Sequence, residues 1–268
     1  MKYFAILFYY LMLISIPISS QCADLTNFDV LGVKLGSSAE DAITKLTNEF
    51  KLDFEKKEVM FSNGRFSMGL TLSYEASPNY TNSTENRTIS ISVRHPNTKE
   101  IEILESRLFF SDENEPLVDT VVGSLKSKYG PPDLSWVSSP NNSLDAYYLW
   151  ASNPLPTAHT KKHKSAYEEL TTRAYLNDIR SISYSVFDGR VYNAEYVYKN
   201  VKKMNLGIFL ICQIDRTNED HAKNLICSLG DSDSILASRD YVINELKNGA
   251  DKAKEKDIQE RKSIDVKL

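Results

Sequence analysis

His159 and His163 stand four residues apart with Glu168 and Glu169 close behind. On a helix that spacing puts two imidazoles on one face, an arrangement used to hold zinc. Lys161, Lys162 and Lys164 crowd the same stretch and repel a cation. The segment therefore reads as an exposed polar loop or helix start, and no metal ligand is assigned. Asp231-Ser232-Asp233-Ser234 offers closely spaced oxygens, as a calcium loop does. It lacks the following Gly and the distant Glu of such a loop, and it sits where the last helix needs an N-cap, so capping is the better reading. There is no Gly-x-Ser-x-Gly elbow, no phosphate-cradling glycine loop and no Cys-x-x-Cys pair. Histidine is limited to His95, His159, His163 and His221. The chemistry left open is a Ser-His-Asp site assembled by the fold, since such sites are defined by geometry and not by order. No catalytic residue and no cofactor are assigned, and the missing motifs weigh against an enzyme.

The first residues set the compartment. Lys2 precedes an apolar run from Phe4 to Ile18, which breaks into Ser19-Ser20-Gln21-Cys22-Ala23. That is the layout of a secretory signal peptide, with cleavage after Cys22 and alternatives after Ser20 or Ala23. The run is shorter than the roughly 20 apolar residues a membrane-spanning helix needs. Gln21 before Cys22 disfavours lipidation. Cleavage removes the single charge of Lys2 and takes the formal net charge from -4 to -5. An acidic exported chain is a poor partner for nucleic acid, whose affinity comes from clustered Lys and Arg. No later segment is long and apolar enough to span a membrane.

Export bears on the cysteines. A cut after Cys22 or Ala23 leaves Cys212 and Cys227 in an oxidising compartment. The segments Leu206 to Ile214 and Asn224 to Leu229 read as buried strands around the polar stretch Arg216 to His221, so an antiparallel hairpin brings the two sulfurs together. A disulfide is expected, with two separate buried thiols as the alternative.

The elements that position these residues alternate in runs. Phe28 to Gly36 is extended, and Ser37 with Glu40 forms a capping box for a helix that buries Ala39, Ala42, Ile43, Leu46 and Phe50. A hairpin follows with Asn63-Gly64 as its turn, pairing Phe61 with Phe66 and Val59 with Met68. Strands follow at Thr88 to Arg94, where Ile89, Ile91 and Val93 alternate with polar residues, and at Glu100 to Phe110. The second helix runs from about Pro116 to Tyr129 and buries Leu117, Val118, Val121, Val122, Leu125 and Tyr129; Gly130-Pro131-Pro132 ends it. Then come a strand at Asp145 to Ala151 and a second hairpin, Arg180 to Phe187 and Arg190 to Tyr198, joined by Asp188-Gly189. A last helix starts near Ser234 and runs into a charged, solvated tail. In the second hairpin Ser185 lies opposite Tyr192 and Ser181 opposite Tyr196. With Tyr198 this gives a candidate partner surface of rigid aromatics and hydroxyls, against which stands the ordinary preference of tyrosine for strands. Asn79, Asn82, Asn86 and Asn141 head glycosylation triplets, which carry meaning only in a eukaryotic host.

Strands in runs beside separate helices define an α+β class: an antiparallel sheet or sheets with two or three helices packed on one face, as one sheet or as two related modules. The expected division is a signal peptide at 1–22, a first α+β module at 23–112, a second at 113–254 and a charged tail at 255–268. Gly36-Ser37-Ser38-Ala39-Glu40-Asp41-Ala42 opening one helix, and Lys128-Tyr129-Gly130-Pro131-Pro132 closing another, resemble the helix punctuation of small bacterial envelope modules of the outer-membrane assembly lipoprotein and β-lactamase-inhibitor kind. The chain departs from these in lacking a lipidation box and a Gly-Pro stop on the first helix, and in being longer than one module. The resemblance implies an extracytoplasmic scaffold and transfers no functional residue. The expected protein is secreted or periplasmic and non-catalytic, and binds a protein or envelope component; a small hydrolase is the alternative.

Overall fold

A computed structural model of the chain describes residues 25–63, 66–76, 86–93, 99–111, 113–138, 145–156, 159, 166–187, 191–192, 194–217 and 220–262. The signal segment, His95, His163, Asn79, Asn82 and Asn141 lie outside them. A 3-10 turn at Leu25–Asn27 leads into α1 (Ala39–Phe50), β1 (Phe54–Ser62), β2 (Ser67–Ala76), β3 (Asn86–Val93) and β4 (Ile101–Phe109). Then follow α2 (Val118–Tyr129), β5 (Leu134–Val137), β6 (Asp145–Ala151), α3 (Ala166–Phe187), β7 (Val191–Tyr192), α4 (Ala194–Met204), β8 (Ile208–Arg216), β9 (Ala222–Asp231) and α5 (Ser232–Lys262).

The class is α+β, built on one nine-stranded sheet in the order β5-β6-β8-β9-β4-β3-β2-β1-β7. Every pairing is antiparallel except β1 with β7. A helix followed by four antiparallel strands occurs twice: α1 with β1 to β4, and α2 with β5, β6, β8 and β9. The last strands of the two runs, β4 and β9, pair with each other and make the sheet continuous.

Alternation along the strands sorts the sheet into two faces. One carries the cross-strand row Ile89, Ser106, Cys227, Cys212 and Tyr148; the adjacent row, Ser90, Glu105, Ser228 and Ile211, points to the other. On the first face lie α1, whose Phe50 ring stacks on the Arg87 guanidinium, and α2, whose Tyr129 ring meets Trp150. On the second lie α3 and α5, tied through Arg180 to Glu105 and Arg239 to Glu102. Among the described residues helices thus lie on both faces, where the sequence pattern implied two or three on one. The added layer comes from segment 154–205, inserted between β6 and β8, and from α5.

That insertion overturns the second hairpin. Arg180 to Phe187 belongs to the 22-residue helix α3, and Ala194 to Met204 is helix α4, with the two-residue strand β7 between them. Ile182 and Val186 look alternating in isolation, but Leu176 and Ile179 extend them at helical spacing, and all four are buried. The first hairpin has its expected strands in a different register: Phe61 pairs with Met68 and Val59 with Leu70. Asn63 closes the turn from outside, its amide donating to the Phe66 carbonyl at 3.2 Å and its Oδ1 accepting the Phe66 amide at 3.0 Å. Gly64 of the expected turn lies outside the described residues. At α1 the cap is Ser38, whose Oγ accepts from the Asp41 amide; Ser37 donates to the Lys34 carbonyl and Glu40 pairs with Lys99.

Candidate ligand-binding groove

Helix α2 is fixed at both ends and stands off the sheet between them. At its start the Val118 amide donates to the Asp220 carbonyl at 2.7 Å and the Ala222 amide to the Pro116 carbonyl at 2.9 Å. Leu117, expected in the buried stripe, is the N-cap and is exposed. At its end Gly130 takes φ 79°, a conformation glycine adopts without strain, and Pro131-Pro132 prevents continuation. The last turn is tied down from two sides. Tyr129 Oη donates to the Asp29 carbonyl at 2.8 Å, and Trp150 Nε1 donates to the Gly130 carbonyl at 3.1 Å. Lys128 Nζ donates to Asp29 Oδ1 at 2.9 Å, and that oxygen also accepts the Gly32 amide at 2.7 Å.

Between these struts lies an open groove of about 400 Å³. Its walls are apolar: Val121 and Leu125 from α2, Leu108 and Leu225 from β4 and β9, and Val30 and Leu31 from the segment before α1. Cys227 lies on the sheet side, and its sulfur is bonded to Cys212 in the directly opposite position of β8. The disulfide expected from the sequence is thus present and adjoins the groove. Arg87 and Ser106 add a polar point, with Arg87 Nη1 donating to Ser106 Oγ at 3.2 Å.

Electrostatics reinforce the struts. Burial pulls the Asp29 carboxyl up, but the Lys128 hydrogen bond, the Gly32 amide and the charges of Lys128 and Lys45 outweigh it and hold the pKa below the usual aspartate value. Burial acts against the Lys128 ammonium, yet its contacts with Asp29 and Tyr129 raise its pKa overall. Burial raises that of the Tyr129 phenol. All three groups therefore hold one charge state around neutral pH.

The described lining residues include neither histidine nor carboxylate. Ser124 Oγ donates to the Thr120 carbonyl, an ordinary intrahelical bond, and Ser106 accepts from Arg87, so neither hydroxyl is set up as a nucleophile. What the arrangement offers is enclosure of an apolar group beside a guanidinium.

The other sequence candidates lie elsewhere. His159 stacks on Tyr175 with ring centroids 4.4 Å apart, and His221 bridges to Leu117 at the start of α2. Among the described residues no group of three His, Cys, Asp or Glu side chains could hold a metal ion. Asp231 caps α5, accepting from the Asp233 amide at 3.1 Å and from the Ser234 hydroxyl. Tyr192 is in β7 with its side chain outside the described residues; Tyr196 is exposed on α4, and Tyr198 lies two positions on, near Lys202. Two residues apart on a helix point to different sides, so the common strand face expected for these tyrosines does not form. The groove was missed, although Arg87 on the same strand face as Ile89 and Ile91 was a readable sign of a polar group turned inward. Comparison with known protein families, curated proteins and solved structures finds no match for this chain.

Proposed function

We propose that this chain is an exported, non-catalytic binding protein that takes an apolar small molecule into the groove beneath α2. The observation that carries the reading is a groove of about 400 Å³ with aliphatic walls, kept open by polar bonds at both ends of the helix above it. Its size falls within the ~300–1,000 Å³ typical of small-molecule sites, and apolar lining with few polar groups is the usual composition of such sites. The Cys212–Cys227 bridge and the leader-like first residues support action outside the cytoplasm.

The test is titration with N-phenyl-1-naphthylamine, a neutral apolar fluorophore. Wild-type protein is expected to bind it saturably, and Val121→Trp, which fills the groove from α2, to lose that binding while melting at an unchanged temperature. No saturable signal, or one indifferent to the tryptophan, overturns the proposal.

A further inference from the structure

The floor of the groove beneath α2 carries a cation at a position where strand alternation would place an aliphatic side chain. Arg87 of β3 heads the cross-strand row Arg87, Leu108 and Leu225, on the same face as Ile89. In the next row of that face Ser106 pairs with Cys227. The guanidinium is held from two sides: Nη1 donates to Ser106 Oγ at 3.2 Å, and Cζ lies 5.0 Å from the centre of the Phe50 ring at the end of α1. A hydroxyl and a ring orient it, and neither removes its charge.

The charges around the groove are mainly of one sign. Arg87 and Lys128 line it, and among the described lining residues there is no carboxylate. Asp29, next to the wall formed by Val30 and Leu31, is shared by two ammonium groups. Lys128 Nζ donates to it at 2.9 Å, and Lys45, whose Nζ donates to the Gly32 carbonyl at 2.7 Å, adds its charge. Two ammonium groups against one carboxylate leave this wall positive as well. The chain as a whole has a formal net charge of -4. A positive groove is therefore a local feature of an acidic protein, and it draws anions and repels cations.

A wholly apolar ligand would set its hydrocarbon against the guanidinium, which is costly. A ligand ending in a carboxylate removes that cost. The guanidinium offers five N–H donors in one plane, so Arg87 keeps its bond to Ser106 and still meets a carboxylate. The aliphatic walls of Leu108, Val121 and Leu125 take the remainder of the ligand.

We infer that the ligand of the groove is a carboxylate with an apolar body, of the fatty-acid class, bound with its head group on Arg87 and its chain beneath α2. The inference rests on the reading of the groove as an apolar small-molecule site and narrows that reading to anionic compounds.

The test is displacement of N-phenyl-1-naphthylamine from the wild-type protein by decanoate and by decanol, which share a chain length and differ in the head group. Decanoate is expected to act at a concentration about ten-fold lower than decanol, the scale of one charge-assisted pair, and Arg87→Met to bring the two within about two-fold. Equal displacement by acid and alcohol in the wild type, or a preference for the acid that survives Arg87→Met, overturns the inference and leaves the apolar groove standing. Absence of any saturable fluorophore signal overturns both. A second measurement needs no variant: decanoate labelled with carbon-13 at its carboxyl is followed by NMR against pH while bound to the wild type. Beside Arg87 the carboxyl is expected to stay ionised to a lower pH than free decanoate, whereas desolvation in an apolar groove alone raises its pKa. A bound pKa equal to or above that of free decanoate overturns the inference.

Discussion

Lys128 Nζ meets Asp29 Oδ1 at 2.9 Å across 99 residues of sequence, and this pair fastens the last turn of the groove helix to the segment that supplies Val30 and Leu31. Both partners keep partial solvent contact, with side chains 45 % and 28 % exposed, so the pair belongs with modest surface bridges. Asp29→Asn is expected to cost about 0.5–1 kcal/mol at neutral pH. The sign with pH follows from the depressed carboxyl: its contribution is complete above the ordinary aspartate value of 3.8 and is lost as pH falls through the lower folded value. Urea midpoints of variant and wild type should therefore differ at neutral pH and converge in acid. A gap of constant size across that range would show that Asp29 acts through shape alone.

The bridge between Cys212 and Cys227 closes a loop of separation 15, for which the chain-entropy account gives about 3 kcal/mol. Replacing both residues by alanine is expected to lower unfolding free energy by at least that amount, since both side chains are buried and their removal also leaves space. Because Cys227 lines the groove, a bound apolar probe should slow reduction of the bridge by dithiothreitol, read as the mass gained on alkylation over time. Equal reduction rates with and without probe would separate the groove from the disulfide.

The parts of this architecture fixed by local chemistry were legible in the sequence. The bounds of β6, the end of α2 at Tyr129 and the facing of Cys212 with Cys227 follow from strand periodicity, a glycine-proline stop and the polarity of the intervening loop. The inserted layer was not legible, because the window from Arg180 to Phe187 is too short to distinguish periods of 2 and 3.6, and the deciding residues, Leu176 and Ile179, lie upstream. The groove was only partly legible. Val121, Leu125 and Tyr129 were recognisable as an apolar stripe, but the distance at which α2 is held depends on Asp29 and Asp220, far away in the chain.

Gly249 in α5 provides a case where two effects oppose each other. Alanine in a helix interior gains about 1 kcal/mol over glycine. Here the added methyl would sit 2.4 Å from Phe66 Cε1, and the ring would have to move. Overpacking of this kind costs about 1–3 kcal/mol, so Gly249→Ala is expected to destabilise. In a Phe66→Leu background, where the ring is absent, the same change should stabilise. A double-mutant cycle by denaturant unfolding measures the coupling, and no change of sign would show that Phe66 gives way freely.

Tyr175 packs its ring on His159, and its hydroxyl is enclosed without a hydrogen-bond partner among the described residues. Burial pushes its pKa from 10.0 to about 12. An unpaired buried hydroxyl costs stability, so Tyr175→Phe is expected to gain about 1 kcal/mol at neutral pH. In alkali the difference grows. As pH rises from 10.0 towards 12 the unfolded chain releases the phenolic proton while the folded chain retains it, so the wild type loses stability across that interval and the phenylalanine variant avoids this share of the loss. The check is a pair of urea titrations at neutral and alkaline pH, accompanied by the tyrosinate absorbance of the folded proteins, in which the variant should lack one late-ionising phenol. Parallel stability curves for the two proteins would mean that the hydroxyl finds a partner in solution and that the α3 interface is better satisfied than its geometry indicates.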